Sequence, residues 1–87
     1  MKNKVLIRVY VPTIEEEYEL YIPVNETINK VLDLVLKSIS ELSDNNLNLG
    51  VKHYLLDPET SITYNNWDII RETNIKNSKK LILLEIK

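Results

Sequence analysis

Residues 81–86 read Leu-Ile-Leu-Leu-Glu-Ile and contain the longest unbroken apolar run of the chain. A continuous apolar run in a strand predicts apolar side chains on both faces and a central place in the sheet. Alternation puts Leu81 and Leu83 on one face of this strand, and Ile82, Leu84 and Ile86 on the other. The order of the remaining elements decides what covers each face.

Two further strands are predicted near the N-terminus. Residues 4–11 read Lys-Val-Leu-Ile-Arg-Val-Tyr-Val, and this density of β-branched and aromatic residues predicts a strand that Pro12 ends. Residues 17–22 alternate polar and apolar, which predicts a half-buried strand that Pro23 closes. Because the two strands are close in sequence, we expect them to pair as an antiparallel hairpin.

One long helix is predicted over residues 28–42, where Thr27 or Asn25 can accept a hydrogen bond from a free backbone N–H at the helix start. A single apolar stripe with a 3.6-residue period supports it. The stripe consists of Ile28, Val31, Leu32, Val35, Leu36, Ile39 and Leu42. After the helix, residues 43–50 have the composition of a turn, and Gly50 is expected to adopt a positive φ there.

The second half of the chain is predicted to add two strands before the last one. The third covers residues 52–56, and a short fourth lies around residues 61–64. Residues 65–76 are expected to form a long connection with one helical turn. Within it, Trp67 is expected to cover the open end of the hydrophobic core, with an exposed anchor for a protein partner as the alternative.

The composition limits the chemistry of this chain. It has 87 residues, a formal net charge of -2, one Gly, one His and no Cys. We expect one domain over residues 1–87, without disulfides, cysteine nucleophiles or a Gly-rich phosphate loop. No apolar run is long enough to span a bilayer, so we expect a cytoplasmic protein without direct membrane insertion.

The predicted elements form an α+β fold: a mixed sheet of four to five strands crossed by one long helix, the β-grasp arrangement. In this order the chain resembles ubiquitin-like proteins over nearly its whole length. Residues 25–28, Asn-Glu-Thr-Ile, and residues 73–81, Thr-Asn-Ile-Lys-Asn-Ser-Lys-Lys-Leu, carry the resemblance. The overall pattern is most similar to the small bacterial YukD/EsaB-type proteins of type VII secretion. That resemblance implies a non-enzymatic accessory protein whose partner is a secretion-machine ATPase or a membrane component.

Two other functions remain open at this point. Ubiquitin-like modifiers and sulfur carriers end in Gly-Gly, whereas this sequence ends Leu-Leu-Glu-Ile-Lys, which disfavours conjugation unless the native gene extends beyond Lys87. A nucleic-acid-binding β-grasp domain needs a basic excess, but residues 44–87 balance basic with acidic side chains. We therefore expect neither a modifier nor a nucleic-acid partner.

No catalytic, cofactor-binding or metal-binding residues are predicted. His53 has no second His and no Cys to share a metal, and we expect it on the surface or rim of the third strand. The acidic cluster of Glu15, Glu16, Glu17 and Glu19 lacks the tight Gly-containing loop of a calcium site. The cluster is read as a solvated turn, with an electrostatic partner patch as the alternative.

The predicted binding site is the sheet face that the helix leaves uncovered. An apolar patch rimmed by charge is typical of an interface, and ubiquitin-like folds commonly bind partners through this face. The predicted contact residues are Leu6, Arg8, Tyr10, Ile82 and Leu84. Tyr54 or Leu56 joins them, depending on the register of the third strand. Shielding by residues 57–76, or pairing with a second copy, is the alternative.

Overall fold

The computed structural model describes residues 3–86 and contains five strands, one α-helix and one turn of 3₁₀-helix. The elements follow in the order β1 (Lys4–Val11), β2 (Glu16–Pro23), α1 (Ile28–Leu42), β3 (His53–Asp57), β4 (Ile62–Thr63), a 3₁₀ turn (Ile70–Glu72) and β5 (Lys79–Glu85).

The five strands form one mixed sheet in the order β2-β1-β5-β3-β4. β1 pairs antiparallel with β2 and parallel with β5, whereas β3 is antiparallel to both β5 and β4. The predicted central position of the last strand and the β-grasp arrangement are confirmed. A parallel pair needs a crossover connection, and α1 lies within it.

The core lies between α1 and one face of the sheet. From β1 it takes Ile7 and Val9, and from β5 it takes Leu81 and Leu83, all of them at most 1% exposed. The buried stripe of α1 faces these side chains, and its apolar members are Ile28, Val31, Val35 and Ile39. Of the other predicted members, Leu32 and Leu36 are partly buried, whereas Leu42 is 61% exposed. The apolar positions of each element therefore determine which face it turns to the core.

The predicted helix and first strand have the bounds that the sequence indicates, whereas the later strands are shifted. β3 begins at His53 and includes Asp57, one residue beyond the predicted range at its end. β4 contains only two residues. The single helical turn in the long connection is confirmed at Ile70–Glu72.

The expected positive φ at Gly50 is wrong. No glycine has a positive φ; instead Asp44 and Asn45 adopt φ values of 54° and 63° directly after α1. The Asn45 N–H then donates to the Ser40 carbonyl at 2.8 Å, which satisfies a free carbonyl of the last helical turn. Asp and Asn tolerate the left-handed region better than most residues, so the chain turns here without glycine.

The start of α1 gives a direct stability test. Thr27 Oγ1 accepts a hydrogen bond from the Lys30 N–H at 3.2 Å, as a helix N-cap does. We expect Thr27→Ala to lower the free energy of unfolding by about 1 kcal/mol, and Thr27→Ser to retain most of the wild-type value. Urea denaturation followed by circular dichroism measures both. Equal losses in the two variants would show that the methyl group, rather than the cap, stabilises this site.

Candidate functional site

The face of the sheet opposite α1 carries an apolar stripe that we call the open-face stripe. It consists of Tyr10, Tyr54, Leu56, Ile82 and Leu84, all half-buried. The strand register places Tyr10, Ile82 and Leu56 side by side on β1, β5 and β3, and Leu84 beside Tyr54. The stripe therefore crosses three strands, and both β3 residues named as alternatives belong to it.

A row of charges borders the stripe. On neighbouring strands Glu19, Arg8 and Lys80 lie side by side, with 3.9 Å between Arg8 Nε and Glu19 Oε2. Lys80 Nζ lies 3.8 Å from Glu17 Oε1 and 6.0 Å from the centre of the Tyr10 ring. These pairs are solvent-exposed, so they contribute little to stability.

Leu6 lies on the same face as the stripe but apart from it. Its neighbour on β2 is Tyr21, and the row of Arg8 and Lys80 separates it from Tyr10 and Ile82. Leu6 and Tyr21 line a separate depression of about 300 Å³. Of the five predicted contact residues, the structure thus brings Tyr10, Ile82 and Leu84 together, places Arg8 at their border, and sets Leu6 beyond it.

Trp67 does not cover the core, and this prediction is wrong. Its side chain is 76% exposed, whereas Ile70 and Ile75 of the same connection are buried and fill the end of the core. Trp67 instead borders a shallow groove of about 590 Å³ that Tyr54 and Ile86 also line. An exposed Trp next to an apolar stripe is a typical anchor for a protein partner.

The backbone around Trp67 is held by hydrogen bonds. The Trp67 N–H donates to Asn65 Oδ1 at 2.9 Å. The carbonyls on either side, those of Asn66 and Asp68, accept from the first two N–H groups of α1, on Asn29 and Ile28, at 2.9 and 2.8 Å. The ring is therefore presented from a fixed backbone, which lowers the entropic cost of binding through it.

A buried polar cluster ties the ends of β3 and β5 together, and the sequence did not reveal it. Asp57 Oδ1 lies 2.9 Å from Lys79 Nζ, and Asp57 Oδ2 accepts from Asn74 Nδ2 at 2.8 Å. Burial raises the pKa of the Asp57 carboxyl, but hydrogen bonds from Asn74, Lys79 and the Glu59 N–H outweigh it and hold the pKa well below 3.8. Burial next to Asp57 raises the pKa of Tyr64 to about 12.

The cluster predicts a pH-dependent stability. Asp57→Asn leaves the buried Lys79 ammonium with only the exposed Glu59 carboxylate, 3.7 Å away, so we expect a loss of about 1–3 kcal/mol at pH 7. Because the folded-state pKa of Asp57 is lowered, its contribution is complete above the ordinary value of 3.8 and is lost as the pH falls through the folded-state pKa. The difference in free energy of unfolding between wild type and variant should become smaller below about pH 4. Urea denaturation at a series of pH values from 7 to 2 measures it.

A double variant controls for the lost charge. In Asp57→Asn with Lys79→Met, the amide keeps an acceptor for the Glu59 N–H while the buried ammonium is gone, so most of the stability should return. Glu41→Gln, an exposed substitution on α1 that also removes one carboxylate, is the matched control. If the free energies of unfolding of wild type and Asp57→Asn differ by the same amount down to pH 2, the pKa of the Asp57 carboxyl is not lowered in the folded protein.

His53 is in β3 as predicted, but it is buried rather than at the surface or rim. Its side chain is 1% exposed, and Nε2 lies 3.9 Å from Glu85 Oε1, too far for a hydrogen bond. Neither ring nitrogen has a hydrogen-bond partner. An imidazole in this setting costs stability, because a neutral ring still carries one N–H donor that burial removes from water.

His53→Leu should therefore stabilise the protein. We expect the free energy of unfolding to rise by about 1 kcal/mol, since an apolar side chain removes the unpaired donor at similar volume. This corresponds to an increase of about 4–8 °C in the thermal midpoint for a domain of this size, which differential scanning calorimetry measures. A lower midpoint would show that the ring does have a polar partner in solution.

Within residues 3–86, no three His, Cys, Asp or Glu side chains are placed to hold a metal ion together. In the same part of the chain, α1 and the 3₁₀ turn are too short or too polar to cross a bilayer. The open-face stripe is an apolar surface with a charged border, which is the composition of a contact surface.

The fold can be compared with those of solved structures. Sequence comparison gives no match to any protein-family model and none to a curated protein. The ubiquitin-like domain of EccD5 from Mycobacterium xenopi superposes with a TM-score of 0.80 at 12% identity, covering 97% of this chain and 96% of that one. The chain has a ubiquitin-like fold.

Two other solved structures are similar in fold to this chain. The ubiquitin-like domain of the Mycobacterium tuberculosis type VII secretion protein EccD1 gives a TM-score of 0.71 at 13% identity, with coverage of 93% of this chain and 97% of that one. A chain of the MycP5-free ESX-5 inner membrane complex gives 0.79 at 14% identity. The match covers 97% of this chain but only 21% of that longer one. At these identities the likeness establishes the fold alone.

Proposed function

We propose that this protein is a non-enzymatic, cytoplasmic interaction module that docks a protein partner on its open-face stripe. The observation that carries the proposal is the continuity of the stripe with an exposed, backbone-fixed Trp67 at one end and a charged border at the other. Apolar centre, aromatic anchor and polar rim are the parts of a protein interface.

The proposed partner is a component of a type VII secretion machine, such as its ATPase or a membrane subunit. Support comes from the similarity in fold to the EccD ubiquitin-like domains and to a chain of the ESX-5 inner membrane complex. A YukD/EsaB-type accessory role is the finer form of this proposal. In it, Tyr10, Ile82 and Leu84 supply the buried centre, Trp67 supplies the anchor, and Arg8 sets the orientation.

Two variants test the proposal in the source cell. Trp67→Ala removes an exposed ring, and Leu84→Asp places a charge in the stripe. We expect either to reduce at least tenfold the recovery of secretion-complex subunits with the tagged protein from detergent-solubilised membranes, with the subunits identified by mass spectrometry. Because Trp67 is 76% exposed, the thermal midpoint of Trp67→Ala should stay close to wild type.

Leu49→Ala is the matched control, since Leu49 is a 54% exposed apolar residue in the loop between α1 and β3. Recovery with this variant should equal that with wild type. If wild type recovers no subunit of a secretion complex, the proposed partner is wrong. If Trp67→Ala and Leu84→Asp recover as much as wild type, the partner binds elsewhere on the protein.

A further inference from the structure

A second surface, distinct from the open-face stripe, lies along the outer edge of β2. The sheet order places β2 at one edge, and within residues 3–86 its only strand partner is β1. The opposite edge is β4, which has two residues, whereas β2 has eight and is roughly 26 Å long. Only β2 is long enough to serve as a template for an added strand.

The unpaired backbone groups of this edge can be assigned from the register. The Val24 N–H donates to the Asn3 carbonyl at 2.9 Å, which makes Asn3 and Val24 a hydrogen-bonded pair. Such pairs alternate along an antiparallel ladder, so the N–H and C=O groups of Glu17, Glu19 and Tyr21 point away from β1. Six backbone groups are thus available to a further strand.

The other side of the ladder gives an independent check. Leu6, the partner of Tyr21 in the register, turns its backbone away from β2. Its N–H donates to Asn77 Oδ1 at 3.0 Å, and its carbonyl accepts from the Ser78 N–H at 2.7 Å. The outward direction of the Tyr21 backbone groups follows from this.

β2 lacks most of the devices that protect an edge strand. The β1–β2 register runs residue by residue over all eight positions without a bulge, and β2 contains no Lys. Its one proline, Pro23, is the last residue of the strand. The protection consists of acidic side chains at Glu16, Glu17 and Glu19, preceded by Glu15.

This acidic edge selects its occupant by charge. Two copies of β2 placed edge to edge would set carboxylates against carboxylates, which disfavours self-pairing. A strand with Lys or Arg at alternate positions would set its charges beside Glu17 and Glu19 on the open side of the sheet. Their present contacts with Lys80 and Arg8 are 3.8 and 3.9 Å long and exposed, and offer little competition.

The helix side of the same edge carries apolar side chains, although polar residues such as Glu16, Ser43 and Asp44 lie beside them. Tyr18 and Leu20 of β2 point towards α1 and are half-buried. Leu34 and Leu42 lie on one flank of α1 at a spacing of two turns, and Leu42, 61% exposed, lines a depression of about 330 Å³ together with Tyr18. The residues of an added strand that alternate with its basic ones would face this flank.

We infer that the β2 edge binds an extended segment of a partner protein in which Lys or Arg alternates with Val, Ile or Leu. The segment adds a sixth strand through the backbone of Glu17, Glu19 and Tyr21. Main-chain hydrogen bonds provide the affinity, the two glutamates select the basic side chains, and the depression beside Tyr18 and Leu42 takes the apolar ones.

The test uses three capped heptapeptides and the full chain labelled with ¹⁵N. The first alternates Lys and Val, the second alternates Glu and Val, and the third has the composition of the first in two blocks, four Lys and then three Val. The alternating Lys peptide should slow hydrogen exchange of the Glu17, Glu19 and Tyr21 amides at least tenfold, and the other two peptides should not. Raising the salt to 0.5 M should weaken the binding.

Glu17→Gln with Glu19→Gln should weaken binding of the alternating Lys peptide about tenfold, and Glu41→Gln on α1 should leave it unchanged. Each of three results would overturn the inference: equal binding of the Glu peptide, protection confined to residues of the open-face stripe, or concentration-dependent self-association through β2 in sedimentation. Because Trp67→Ala leaves the β2 edge intact, it should not affect the peptide, and this separates the inference from the proposed function.

Discussion

The burial of Leu81 and Leu83 beneath α1 is the contact on which the rest of the structure depends. β5 lies between β1 and β3, and its core-side residues are at most 1% exposed. Because strand side chains alternate and one helix covers only one face, the neighbouring residues Ile82 and Leu84 must lie on the other face. The same strand thus completes the core and supplies the centre of the open-face stripe.

The long connection before β5 is held by hydrogen bonds as well as by packing. Asp57 joins β3 to Lys79 at the start of β5, and Asn74 links this pair to the Tyr64 hydroxyl, which donates at 2.7 Å. Two isoleucines of the connection, Ile70 and Ile75, fill the core next to this cluster. Trp67, the largest side chain of the connection, therefore lies at the surface. The exposure of Trp67 is therefore a consequence of how the connection closes the fold.

Features that depend on local periodicity could be predicted from the sequence. Features that depend on how strands pair, or on which of several side chains fills a given place in the fold, could not. The helix at residues 28–42 and the two faces of the last strand follow from side-chain spacing alone. His53 and Asp57 are buried because they share the core-facing side of β3 with Leu55, and the composition of the strand does not show which of its faces packs beneath α1. Ile70 and Ile75, rather than Trp67, fill the end of the core. Asp44 and Asn45, rather than Gly50, adopt the left-handed conformation after α1.

The two proposed surfaces meet at β2, and this has a consequence for how they act together. Glu17 contributes its side chain to the charged border of the open-face stripe and its backbone to the free edge. A basic strand at the edge would compete with Lys80 for Glu17, and Lys80 is also the cation nearest to the Tyr10 ring. Once the Lys80 ammonium no longer pairs with Glu17, it can interact with the Tyr10 ring and with acidic groups of a partner bound to the stripe. Occupation of the edge should then favour occupation of the stripe by an acidic partner, with the coupling carried by one lysine rather than by a change of fold.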